Sequence, residues 1–445
     1  MELINLIPSF GGLAYTVLAF VVALLIIVFV HEFGHYIVGR WSGIHAEVFS
    51  LGFGPVIWSR MDGQGTRWQI AALPLGGYVK FFGDSNAASA GHVDDLGGLT
   101  PEQRRATMHG APLWARTATV AAGPVFNFVL SILVFAGVFL TNGVATEAPA
   151  VGSVRGMPGI TAELQPGDRI LELGGQETPD FPSFLAAAAT LPAEPRVAYR
   201  VARGEAELDL TDSHPLPPLV ESVHPDSAAR EAGVEPGDVV LAVDGAPVVT
   251  FAQLREIVGA SDGGPITLDL LRGGQKITLE LQPRRVDLPL SEGGFETRWL
   301  IGLTGALYFE PETRQPGLVE SITLGAGQTW DIATTSLSGL WHMVTGAISS
   351  CNLRGPIGIA ETSGAAASAG LTSFIWFIAM LSTAVGMMNL FPVPVLDGGH
   401  LVFYAYEAVT GRPPTARALQ VLMAVGLAAI LTLMVFALTN DIFCP

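Results

Sequence analysis

The segment His31-Glu-Phe-Gly-His35 holds the residue types and spacing best suited to chemistry in this chain. On a helix, residues four apart share a face, so both imidazoles can reach one metal ion. Glu32 sits one position around the helix from His31 and can reach a water at the metal without occupying it. A bound zinc ion lowers the pKa of its water from about 15.7 to about 7 and polarises a carbonyl. Glu32 could then accept the water proton and pass it to a leaving amine. This is the arrangement of a metal-assisted peptidase.

Such a site needs a third protein ligand and one open position. Asp397 is the candidate, within Asn389-Leu-Phe-Pro-Val-Pro-Val-Leu-Asp-Gly-Gly-His400. Pro392 and Pro394 force extended backbone there. Gly398 and Gly399 permit close approach. An ordinary cap on the following helix is the plainer account of Asp397. Glu47, Asp62 and His400 are rival ligands, His400 also as a residue just outside the metal. His45, His92, His109, His214, His224 and His342 read as surface or packing histidines.

The rest of the chain says where this chemistry takes place. Hydrophobic residues make up 49% of the 445 residues and charged residues only 14%. Mean hydropathy is +0.45, and soluble domains carry about 25% charged residues, so the composition points to a membrane. The net charge of −17 argues against nucleic acid, which needs a basic footprint. Two cysteines, Cys351 and Cys444, are too few for a cysteine-rich zinc site.

Four apolar runs are long enough to span about 30 Å of hydrocarbon. They are Leu13 to Val30, extended through Val38, then Trp114 to Leu140, Phe374 to Phe391, and Ala418 to Leu438. Met1 to Ile7 carries Glu2 and no Lys or Arg, so the first run reads as a retained helix rather than a cleaved signal. Arg40, Arg60, Arg67, Lys80, Arg104, Arg105 and Arg116 lie between the first two runs, and Arg412 and Arg417 between the last two. The positive-inside rule places both connections in the cytoplasm. The termini, with Glu2 and Asp441, and the long middle segment then face outward. This places the ends of the first and third spans, with His35 and Asp397, at one membrane face.

The middle segment repeats itself. Leu164-Gln-Pro-Gly-Asp-Arg-Ile-Leu-Glu-Leu-Gly-Gly175 aligns without a gap on Val234-Glu-Pro-Gly-Asp-Val-Val-Leu-Ala-Val-Asp-Gly245, and Phe181 matches Phe251. Each copy reads as a Pro-Gly turn, a strand and a Gly turn. Ile266 to Leu271 and Lys276 to Leu281, split by Gly273-Gly274, read as a hairpin. With Asp226-Ser-Ala-Ala229 upstream of the second copy, the pair resembles PDZ domains, which bind extended peptides or C-termini by strand addition. Purely structural β modules are the alternative. Phe49 to Trp58, Trp68 to Ala72 and Tyr78 to Phe82 add β character to the first cytoplasmic connection, with bends at Gly52-Phe-Gly54 and Gly76-Gly77.

Taken together, these features resemble the site-2 protease family of intramembrane metalloproteases. The match runs through His31-Glu-Phe-Gly-His35, Phe49-Ser-Leu-Gly-Phe-Gly54, Pro74-Leu-Gly-Gly-Tyr-Val79, Ala122-Gly-Pro-Val-Phe-Asn-Phe128, the repeat, Gly355-Pro-Ile-Gly-Ile359 and the Asn389 to Gly399 segment. The resemblance implies one zinc ion (Zn2+) per chain on His31, His35 and Asp397, with Glu32 as general base. It implies that Asn389, Pro392 and Pro394 help hold an unwound substrate. It also implies that Gly52, Phe53, Gly54, Gly76, Gly77 and Tyr78 form a membrane-associated β element pairing with substrate backbone. Substrates would be single-span membrane proteins after a first cleavage, such as anti-sigma factors or signal-peptide remnants. The localisation implied is the bacterial inner membrane.

The expected fold is a polytopic α-helical membrane protein with four transmembrane helices, a membrane-associated β element and two periplasmic PDZ-like α+β domains in tandem. The expected divisions begin with a first span at 1–40, a cytoplasmic β region at 41–112 and a second span at 113–141. PDZ-like domains follow at 145–212 and 213–286. A periplasmic linker with an amphipathic segment fills 287–370, a third span 371–396, a cytoplasmic connection 397–417 and a fourth span 418–440. Cys351 and Cys444 both fall on the outer, oxidising side, where a disulfide can form. A non-catalytic membrane-anchored PDZ scaffold or chaperone, or a transporter, would explain the spans but not the His31, Glu32, His35 and Asp397 pattern.

Overall fold

The computed structural model describes residues 6–83, 99–157, 161–224, 227–290 and 294–444. Glu2, His92 and Asp226 lie outside them. The chain divides into two compact units, one of 1–138, 318–341 and 350–445, the other of 139–317 and 342–349.

The first unit is built on four helices long and apolar enough to cross a membrane, Gly12–Trp41, Leu113–Asn142, Leu371–Asn389 and Ala416–Phe443. Small and hydroxylated residues set their packing, as expected where lipid removes the hydrophobic drive between helices. A Cβ on Gly34 of the first span would collide with the Ala122 carbonyl of the second. Gly386 of the third span rests on Pro124 and Asn127. Ser131 and Ser382 both donate to the Asn127 carbonyl, at 3.0 and 2.9 Å, and Ser131 also reaches the Ala379 carbonyl at 2.8 Å.

The third helix ends at Asn389, earlier than the expected span of 371–396. Pro392 lacks an amide donor and restricts the residue before it, so 390–396 leaves the helix. The expected connection at 397–417 is mostly a helix, Asp397–Thr410. Between the first two spans, Ala46–Met61 and Arg67–Phe81 pair as an antiparallel hairpin that folds back on itself, so that residues 48–51 pair with both 67–70 and 77–80. Its base packs on the first span through Tyr36, Phe49 and Val79. Its far end exposes Val56, Ile57, Trp58, Ile70, Leu73 and Leu75.

Two further helices of this unit lie within the stretch expected to be a linker at 287–370. Leu318–Val344 buries Ser321, Gly325 and Thr329, one turn apart, while Leu318, Trp330, Leu337 and Trp341 stay exposed. A Cβ at Gly325 would meet the second span's backbone at Ile132 and Ala136. Pro356–Ser368 packs along the first span, with Gly364 against Thr16. Its N-cap, Gly355, offers no side chain, and Asp441 of the last helix takes that role. Asp441 accepts from the Gly355 and Ile357 amides at 2.7 and 3.0 Å. Asn440 donates to the Ser350 and Leu353 carbonyls, and Cys351 is bonded to Cys444 with Cα atoms 5.6 Å apart.

In the second unit the sequence repeat becomes two modules of the same plan. Each has a four-stranded antiparallel sheet and a helix, Phe181–Thr190 or Phe251–Gly259, capped by Asp180 or Thr250. Gly174-Gly175 and Asp244-Gly245 all have positive φ, the requirement of a two-residue hairpin turn. The repeated Pro-Gly-Asp has a clear role. Asp168 and Asp238 are buried, and each closes its turn by accepting from an amide, Gln165 or Glu235, at 2.8 and 2.9 Å. An arginine two strands on, Arg203 or Arg272, then grips each carboxylate through two nitrogens at 2.7 Å.

The expected domain limits of 145–212 and 213–286 are incomplete. One later stretch supplies strands to both modules. Leu303–Gly305 pairs with Val220–Val223 of the second, and Phe309–Pro311 with Val151–Val154 of the first. Thr313–Arg314 then pairs with Val144–Ala145. Arg284–Pro289 and Phe295–Leu300 pair antiparallel within the expected linker. Strands of three residues carry too little alternation to be read from sequence, yet here they cover edges that would otherwise be open.

Two outcomes follow. Cys351→Ser should abolish the mobility difference between reduced and non-reduced protein on gels and cost about 2–4 kcal/mol of stability. Unchanged mobility would show that no such link forms. Arg203→Met should lower the melting temperature of the second unit by leaving Asp168 buried without its cation, while Arg203→Lys should recover part of it. Equal melting of all three proteins would mean that the arginine grip contributes nothing.

Candidate metal centre

The first span carries His31, Glu32 and His35 on a helix that continues to Trp41. Asp397 is the first residue of the helix Asp397–Thr410, whose N-cap, Leu396, makes no side-chain hydrogen bond. Asp397 is therefore not serving as the ordinary helix cap that its position allowed. Gly398 and Gly399 are buried where any Cβ would collide with the carbonyls of Leu390, Phe391 and Val393. That close approach turns the new helix back over the end of the third span and brings Asp397 to the histidines.

His31 Nε2 lies 3.1 Å from Asp397 Oδ2, His35 Nε2 lies 3.6 Å from Oδ1, and the two Nε2 atoms are 3.2 Å apart. Among the described residues, this is the one group of three or more His, Cys, Asp or Glu side chains whose donor atoms converge in this way. Tetrahedral zinc with bonds of about 2.05 Å has edges of about 3.3 Å. The Nε2–Nε2 separation is close to that edge, each imidazole has an Asp397 oxygen at a similar distance, and a donor set of two imidazoles and one carboxylate suits zinc.

Hydrogen bonds behind the histidines fix which nitrogen faces the site. His35 Nδ1 is 2.8 Å from the Thr119 carbonyl, which can only accept, so Nδ1 carries a proton. In the neutral ring Nε2 then offers its lone pair. His31 Nδ1 is 3.2 Å from the Asn127 side-chain amide, whose Oδ1 is buried and unpartnered among the described residues. With that amide turned, Oδ1 accepts the His31 Nδ1 proton and the second Nε2 also faces inward as a lone pair. Asp397 Oδ2 is likewise buried and accepts no hydrogen bond among the described residues. Two lone pairs and a carboxylate at this spacing repel unless a cation lies between them.

The site opens on a cavity of about 400 Å3 lined by both histidines, Glu32 and Asp397. Gly77, Tyr78 and Val79 of the hairpin and Asn389 also line it. A Cβ at Gly77 would press on the Glu32 side chain, so glycine there lets strand backbone reach the acid. Asn389 donates to the Val385 carbonyl of its own helix at 3.0 Å. Gly52, Phe53, Gly54, Gly76, Pro392 and Pro394 do not line the cavity. Gly52 and Gly54 turn the strand with positive φ, and Phe53 stacks on Tyr78 at 6.0 Å, behind the lining residues. The rival ligands are employed elsewhere. Glu47 pairs with Lys80 at 2.9 Å, and Asp62 closes the hairpin turn while accepting from Tyr36 and Trp68. His400 lines the cavity without joining the three donors.

Sequence reasoning assigned no role to Thr119, Gly123 or Asn127. A Cβ on Gly123 would collide with both His35 Nε2 and His31 Nε2, so only glycine lets the second span back the site. The available signal was Gly123-Pro-Val-Phe-Asn127 itself, since an amide within an apolar span needs a purpose.

Comparison with known proteins finds metalloprotease relatives along nearly the whole chain. The model of peptidase family M50 matches residues 19–433. A Rhizobium meliloti protein named as a candidate zinc metalloprotease is 40% identical over 434 residues, 97% of each chain. A similarly named Agrobacterium fabrum protein is 36% identical over 98% of each chain. The regulator of sigma-E protease of Salmonella typhimurium is 32% identical over 97% of this chain and 99% of its own. The chain belongs to peptidase family M50.

Proposed function

We propose that this protein is an intramembrane zinc endoprotease that makes the second cut in single-span membrane proteins, once a first cleavage has removed their outer domain. The observation that carries the reading is the convergence of His31 Nε2, His35 Nε2 and an Asp397 oxygen beside Glu32, in a cavity among apolar spans. His31, His35 and Asp397 would hold one zinc ion per chain. When bound, zinc polarises the scissile carbonyl and acidifies water. Glu32 accepts the proton of the attacking water and delivers it to the leaving amine. Thr119 and Asn127 hold the two rings by their outer nitrogens.

A substrate helix must unwind before its peptide bonds can be reached, and its freed backbone groups need partners in a low-dielectric setting. The Gly77 to Val79 stretch brings extended backbone to the cavity wall and offers such partners by strand addition. Asn389 lines the same cavity and offers a side-chain contact, and Pro392 and Pro394 shape the turn that carries Asp397. Gly52, Phe53, Gly54 and Gly76 support the hairpin that presents Tyr78. The exposed apolar end of that hairpin suits immersion in lipid. The two outer modules act as tandem PDZ-like domains on the periplasmic side of the bacterial inner membrane, with the termini. There they meet peptide or C-terminal segments and hinder substrates that still carry an outer domain.

The test compares wild type with Glu32→Gln and His31→Ala in detergent, reading bound zinc and cleavage of a single-span substrate lacking its outer domain. Wild type should bind one zinc and cut. Glu32→Gln should keep the zinc and lose cleavage by at least about 100-fold. His31→Ala should lose both. Cleavage surviving Glu32→Gln, or wild type without zinc, would overturn the reading.

A further inference from the structure

Asp397 stands on a helix whose apolar packing rests on partly buried side chains, Leu401 and Tyr404, set against the core beside the hairpin. Among its described residues, Asp397–Thr410 buries only Gly398 and Gly399, and the stretch joining it to the third span is irregular. Its opposite end is tied to the second span. Arg116 donates from two nitrogens to both carboxylate oxygens of Glu407, at 3.0 and 2.6 Å. The Arg116 guanidinium also lies 5.3 Å over the ring of Tyr404, one turn earlier on the same helix. Both charged side chains are mostly buried, at 14% and 18% exposure, and both line the catalytic cavity. Glu407 is ten residues from Asp397, about 15 Å along the helix, too far for it to belong to the metal group itself.

Arg116 lies one turn before Thr119, whose carbonyl holds His35. One face of the second span therefore fixes a histidine through its backbone and the Asp397 helix through its guanidinium. A bidentate, charge-assisted pair is directional as well as strong, and burial limits its screening by salt.

We propose that Arg116 is a positioning residue for the third ligand, its pairing with Glu407 setting the pose of the helix that presents Asp397 to His31 and His35. This rests on the reading of Asp397 as a ligand. The full chain in detergent is titrated with zinc against a competing chelator, for wild type, Arg116→Met, Arg116→Lys, Glu407→Gln and Asp397→Asn. Glu407→Gln and Arg116→Met should weaken zinc binding about 10- to 100-fold, as loss of outer supports of a metal site does. Arg116→Lys, which keeps the charge without the fork, should fall between them and wild type. A role confined to general stability would lower melting temperatures and leave zinc affinity alone. Zinc affinities of Arg116→Met and Glu407→Gln within about twofold of wild type would overturn the proposal. If Asp397→Asn still binds poorly in that case, the ligand reading survives and only the positioning role falls. If Asp397→Asn binds zinc as wild type does, the ligand reading fails and takes this proposal with it.

Discussion

The constraint on which the rest of the site depends is the cost of gathering two imidazole lone pairs and a carboxylate within a few ångströms among membrane spans. In a low-dielectric setting such a group repels itself and loses its hydration, so it persists only if a cation compensates or the scaffold holds it rigidly. This scaffold does hold it. Thr119 and Asn127 fix the two rings from behind, and the buried Gly398-Gly399 turn delivers the carboxylate.

The glycines and hydroxyl residues of the spans serve the same end. Gly34 and Gly123 bring the first and second spans within backbone contact, and the histidines gain the Thr119 carbonyl and the Asn127 amide as partners only at that distance. The Asn127 carbonyl, drawing on Ser131 and Ser382, locks the third span to the second. The third span in turn carries the Pro392-Val-Pro394 turn that leads to Asp397. The proposed metal ligands, far apart in sequence, are therefore coupled through one shared helix.

Much of this was legible in the sequence, for reasons that differ by element. His31, Glu32 and His35 stood out because ionisable groups at metal spacing are expensive in an apolar run, and Asp397 because its Pro- and Gly-rich segment ends the third run at the same membrane face. The repeat was legible through Pro-Gly-Asp, which the structure explains as a buried carboxylate closing its own turn. What escaped depends on partners remote in sequence. Asn127 was visible as a residue but not as a partner of His31, 96 positions away. Arg116 was counted among topological charges, and nothing in the chain indicated Glu407, 291 positions on. The strands at 303–314 are too short to show alternation, so the modules were drawn without the stretch that completes them. The end of the third helix was placed beyond its prolines, although Pro392 and Pro394 already argued for an earlier stop.

The central claim is that two imidazole nitrogens and one carboxylate oxygen form the metal site, while both cysteines lie elsewhere. Zinc K-edge X-ray absorption on the purified full-length protein tests it directly. The account predicts a first shell of only nitrogen and oxygen at about 2.0–2.1 Å, with the outer-shell scattering of two imidazole rings. Sulfur at about 2.3 Å, or a shell with no imidazole signature, would contradict it.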